Sequence, residues 1–107
     1  MILTGKAKED FLEYYNNHSI KYLLSWTYFD DLPLVVKNAL IIEWFDSVGI
    51  YINTTYEEFE DIQVKKLPVL VKTWSVWVNE ELLIDFNSRQ EATEEAIKKA
   101  NEIYNNL

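Results

Sequence analysis

Carboxylates are the most plentiful reactive groups in this 107-residue chain. It carries 18 Asp and Glu against 10 Lys and Arg, one His and no Cys, for a net charge of −8. Two clusters are dense: Asp30-Asp31, and Glu57, Glu58, Glu60 and Asp61. Glycosidase chemistry would need two such acids held at a set separation across a cleft. A hard metal ion would need several oxygens converging. The spacing matches no EF-hand loop, because the central glycine and the alternating Asp or Asn are missing. Acidic runs ordinarily form a solvated face, and that is the reading adopted, with no metal and no cofactor expected. His18 is the only side chain of a type whose unperturbed pKa lies near neutrality, and it sits at an expected helix end, where it can meet the last carbonyls. Serines and threonines lack the glycines of a nucleophile elbow. Gly5 and Gly49 stand alone, so no phosphate cradle forms. Absent cysteine removes thiol nucleophiles, thiolate zinc sites and disulfides. The inventory points away from an enzyme.

Aromatics are the second abundant group, with four Trp, seven Tyr and five Phe. A small core takes many of them. A core of this size seldom needs sixteen, so some are expected at the surface. Trp74 and Trp77 are an odd number of residues apart and cannot share one face of a regular strand. Exposed aromatics beside carboxylates have the composition of a protein-binding patch.

The elements that must position these groups can be read from periodicity and caps. Thr4 is an expected N-cap for a helix running to about Asn17, with Phe11, Leu12 and Tyr15 on one face. Residues 20–28 fit either period: Ile20, Tyr22, Leu24, Trp26 and Tyr28 alternate, while Ile20, Leu23, Leu24 and Tyr28 fit a helix. The helical reading is favoured, as the second arm of an α-hairpin. Asp31-Leu32-Pro33 starts a helix to about Val48, capped by Asp31 and stopped at Gly49. It is apolar on most sides, which predicts burial on several faces. Ile50 to Thr54 reads as a strand. Thr55 and Glu58 have capping-box spacing and predict a helical turn over 56–61. Residues 62–73 and 74–78 are strand material, with Pro68 marking an edge or a break. Asn79-Glu80 is a hairpin turn into a strand from Leu82 to Phe86. Ser88 and Glu91 form a capping box opening a helix from Arg89 to about Asn105. Its inward stripe is Ala92, Ala96, Ile97, Ala100, Ile103 and Tyr104. The expected fold is a small single α+β domain over residues 1–107, with about four helices and a short, mainly antiparallel three-stranded sheet.

Charge is segregated along the chain. Residues 30–61 hold one Lys against eight acids, whereas residues 62–79 hold Lys65, Lys66 and Lys72 and no acid. Those lysines read as edge-strand protection. Direct binding to free nucleic acid is not expected from so acidic a chain. No apolar run is long enough to span a membrane. The start, Met-Ile-Leu-Thr-Gly-Lys, lacks the basic and apolar regions of a secretory leader, and a cytoplasmic location is expected.

Two stretches carry a resemblance. One is Leu32-Pro33 with Ile42-Glu43-Trp44-Phe45-Asp46-Ser47-Val48-Gly49-Ile50. The other is Arg89-Gln90-Glu91-Ala92 with Ala96 to Asn105. They resemble small uncharacterised acidic proteins of bacteriophages and prophages. That resemblance implies no catalytic residues. It implies a context in which such proteins bind host defence machinery, anti-CRISPR proteins being the best-known class. The expected function is therefore non-catalytic inhibition of a larger protein with a basic nucleic-acid-binding surface, such as an RNA-guided nuclease in the host cytoplasm. Asp30, Asp31, Glu57, Glu58, Glu60, Asp61, Trp74 and Trp77 are the expected partner-binding residues. A self-associating domain, as a homodimer that buries its surplus aromatics, and a carboxylate-based metal-binding protein or small enzyme are the alternatives.

Overall fold

The computed structural model describes residues 2–17, 29–62 and 68–107, those at 59–62 and 68–70 by their backbone. Helix α1 covers Gly5–Asn17, a 3-10 turn covers Phe29–Asp31, and helix α2 covers Leu34–Ser47. Strands β1 (Ile52–Ile62), β2 (Pro68–Val78) and β3 (Glu81–Phe86) follow, and helix α3 covers Arg89–Asn105. The strands form one antiparallel sheet in the order β1-β2-β3. This is an α+β arrangement. Three α-helices stand among the described residues, where about four were expected. The difference falls on 20–28, which lie outside them, as does His18.

Helix α3 packs on one face of the sheet. Ala92, Ala96 and Ala100 recur every four residues and are fully buried with Ile97. Their small side chains let the helix approach Val76 and Val78 of β2, which are also buried. Ser88 caps the helix as expected, accepting from the Glu91 N–H at 3.1 Å. The helical side of the core is aromatic. The Phe11 ring meets Phe29 at 4.9 Å and Trp44 at 5.8 Å, both edge-on, and Trp44 meets Tyr104 at 4.9 Å.

The N-terminus of α1 is held by the far end of the chain. Asn105 accepts from the Ala7 N–H at 2.8 Å and donates to the Thr4 carbonyl at 2.9 Å. Asn101 accepts from the Thr4 N–H at 2.9 Å and donates to the Thr4 hydroxyl at 3.0 Å. Thr4 holds the expected N-cap position, its carbonyl accepting from the Lys8 N–H at 3.3 Å, while Asn105 satisfies a free N–H of the first turn, an orphan group that every helix start must partner. Gly5 fits this clasp with φ +59°, and a Cβ there would press on Asn105 at 3.2 Å.

Two local expectations are overturned. Residues 56–61 are not a helical turn but part of β1, which pairs with β2 residue for residue from Ile52↔Val78 to Ile62↔Pro68. Continuous pairing outweighs a local cap signal in a segment rich in Thr, Tyr and Ile. Asp31 does not cap α2: it belongs to the 3-10 turn, and Pro33 occupies the N-cap position without a side-chain bond. Pro68, expected to mark an edge or a break, stands as the first residue of β2, the central strand. It is tolerated there, beyond the part that β3 pairs. Helix α2 also departs from its predicted burial. Asn38, Leu40, Ile41, Trp44 and Phe45 are buried, yet Leu34, Val35 and Ala39 are exposed.

Candidate functional site: the open face of the sheet

The β1–β2 register sorts the expected site residues onto two faces. Tyr56 stands opposite Trp74, Glu58 opposite Lys72, Glu57 opposite Thr73 and Asn53 opposite Trp77. Because side chains alternate, Ile52, Thr54, Tyr56, Trp74, Val76 and Val78 share the face covered by α3. Asn53, Thr55, Glu57, Thr73, Ser75 and Trp77 share the other. The two tryptophans therefore lie on opposite faces, as their odd spacing requires. Trp74 is half-buried under the helix layer, and Trp77 is 41% exposed.

Trp74 is in a built environment. Its ring lies 4.8 Å from that of Tyr56, and the Arg89 guanidinium sits 4.8 Å from its centroid. The Tyr56 hydroxyl donates to Glu58 at 2.5 Å, and this bond to a carboxylate raises the phenol above its ordinary pKa. Lys72 pairs with the same carboxylate at 4.0 Å. Both groups are well exposed, so the pair adds little stability.

Among the described residues, no helix packs on the opposite face. Leu82 pairs with Trp77, and Ile84 follows on the same side. An irregularity in the β2–β3 register places Asp85 at φ +69°, and Phe86 returns to the face of Trp74. Glu57, Thr73, Ser75, Trp77, Leu82, Ile84 and Asp85 thus line a shallow hollow of about 230 Å³. Leu82 and Ile84 are exposed, Ile84 at 59%, and Tyr51 is exposed beside the turn, where Asn79 bonds its backbone. The result is an apolar patch with a Trp at its centre and carboxylates at its rim. Among the described residues, no lysine or arginine lines the hollow.

The other expected residues lie elsewhere. Glu60 and Asp61 are in β1 opposite Leu70 and Val69, farther along the hairpin. Asp30 and Asp31 are exposed in the 3-10 turn, whose Phe29 ring packs on Phe11 and Tyr15. They belong to the helical side and do not join Glu57. Leu82, Ile84, Asp85 and Tyr51 were missed as members of the patch. The alternation of Leu82 and Ile84 was a usable signal; the backbone turn at Asp85 was not. Among the described residues, no three acidic or histidine side chains converge as metal ligands would, and no helix is long and apolar enough to cross a membrane.

No known protein family, curated protein or solved structure matches the chain.

Proposed function

We propose that this chain is a non-catalytic binding protein that docks its open sheet face and acidic β1–β2 hairpin against a basic surface of a larger protein. The observation that carries this reading is the patch itself. Trp77, Leu82 and Ile84 are exposed together on an uncovered face, ringed by Glu57 and Asp85. Interfaces draw their energy from a central aromatic anchor excluded from water, with charged groups at the rim that set orientation and association rate. The acidic rim selects a cationic partner. It also argues against a homodimer through this face, since two copies would place like charges together. Basic surfaces of the required kind are those that hold nucleic acid, and RNA-guided nucleases are one class that presents them. An inhibitor that occupies such a surface needs no catalytic group. This is the function expected of the acidic phage proteins that the chain resembles.

The test is affinity capture of the tagged protein from host lysate in a salt series, with Trp77→Ala and Ile84→Ser variants in parallel. The expected result is a stoichiometric nucleic-acid-handling protein, released by salt and lost with either variant. Recovery of the bait alone, with the defence proteins expressed, would overturn the reading. So would a partner that both variants retain.

A further inference from the structure

A second hollow lies on the opposite side of the sheet, between α2, the start of α3 and β1. It is about 390 Å³, within the range of small-molecule sites. Its walls are mainly apolar: Leu34, Val35, Ala39, Ile42 and Ile52. Val35 is 78% exposed at its mouth. This is the part of α2 that the core leaves uncovered.

Two polar groups on this groove have hydrogen-bonding capacity to spare. Arg89, the only arginine in the chain, lines the groove. None of the described carboxylates forms an ion pair with it, as none does with Lys6, Lys8 or Lys37, whereas Lys72, Lys98 and Lys99 are paired. Its guanidinium is held over Trp74 instead, and stacking leaves the edge of the fork free. Asn38 is the second group. Its side chain is only 7% exposed and makes no hydrogen bond among the described residues. Among the described residues, no fully enclosed side-chain nitrogen or oxygen lacks a partner, so its amide opens to a groove. Asn38 also borders a neighbouring hollow with Lys37, Glu94 and Lys98. There Glu94 already supplies an anion.

We propose that the groove binds a small aliphatic carboxylate. Its carboxylate would sit on the Arg89 fork, Asn38 would donate to it or to a polar group on the chain, and its aliphatic body would cover Leu34, Val35, Ala39 and Ile42. A guanidinium matches a carboxylate with two parallel hydrogen bonds. An apolar wall beside it excludes a free, strongly hydrated anion. The net charge of −8 disfavours anions over the surface as a whole, so binding draws on this local cation.

Sodium octanoate, to about 10 mM, is the probe, read by the single arginine Nε–Hε resonance and the Val35 and Ala39 amides. Saturable shifts of all three are expected, with 1-octanol binding at least about tenfold more weakly. Arg89→Gln is expected to weaken octanoate binding at least about tenfold, and Val35→Asp, a surface change, to abolish it. Equal binding of octanol, undiminished binding by either variant, or no shift at all overturns the proposal. None of these outcomes bears on the open face, because Arg89 and Val35 lie away from it.

Discussion

The hydroxyl of Tyr104 donates to Asp10, tying α3 to α1. That bond, with burial and the carboxylate charge behind it, raises the phenol to about 12. The folded protein therefore holds this proton more tightly than the unfolded chain, where a tyrosine titrates near ~10. The sign follows from linkage: the contribution is complete below pH ~10 and is lost as pH rises through about 12. Tyr104→Phe lacks it throughout. The gap in melting temperature between wild type and variant is expected at neutral pH and should close between pH ~10 and ~12. A gap that stays constant over that range would refute the role of the bond. The two positive-φ glycines give a second comparison. At Gly49, φ is +86° and nothing lies near an added Cβ, so Gly49→Ala meets backbone strain alone, about 1–2 kcal/mol. Gly5→Ala meets similar strain and also Asn105, so it should lower the melting temperature more. Equal losses would show that the Asn105 clasp is soft. The opposite facing of Trp74 and Trp77 was legible in the sequence, because a strand has period two. The clasp of Asn101 and Asn105 on Thr4 was not, since its partners are 97 to 101 residues apart.

Elements were legible where local and tertiary signals agree. Ser88 and Glu91 mark a helix start, Ala92, Ala96 and Ala100 mark its buried stripe, and the observed helix has the predicted bounds. Ser88→Ala is accordingly expected to cost ~1 kcal/mol, or about 4–5 °C in melting temperature. A loss under about 0.3 kcal/mol would mean that the Glu91 contact to the Asn87 N–H holds the helix start without the serine. Legibility failed where a local signal competes with pairing. Thr55 and Glu58 have the spacing of a cap, but β2 offers eleven consecutive partners, and the ladder wins. Helix α2 failed differently. Its composition is apolar almost all round, and periodicity cannot say that Val35 and Ala39 would be left uncovered. Those positions line the groove, so the discrepancy between pattern and burial is itself the pointer to a site. Likewise the open face became visible only when β3 was seen to place Leu82 beside Trp77.

The whole molecule is drawn out. Its radius of gyration is 16.9 Å, against roughly 13 Å for a compact chain of this length. The long β1–β2 hairpin contributes to this extension. Eleven residues per strand span about 36 Å, and β3 pairs only the Trp74–Val78 end. The hairpin carries Glu57, Glu58, Glu60 and Asp61 away from the core, while Trp77 stays at its base. Long-range steering and short-range anchoring are thus placed on different parts of the sheet, and they should separate kinetically. Replacing the four hairpin acids by Gln or Asn removes half of the net charge. It is expected to slow association with the captured partner by about tenfold or more at low salt, with little change in dissociation. The difference should vanish at ~1 M salt, where fields are screened within ~3 Å. Trp77→Ala should do the reverse, raising the dissociation rate and leaving association and its salt slope nearly intact. If the four neutral substitutions instead raise the dissociation rate at all salt concentrations, the acids are buried contacts rather than steering charges, and the hairpin inserts into its partner.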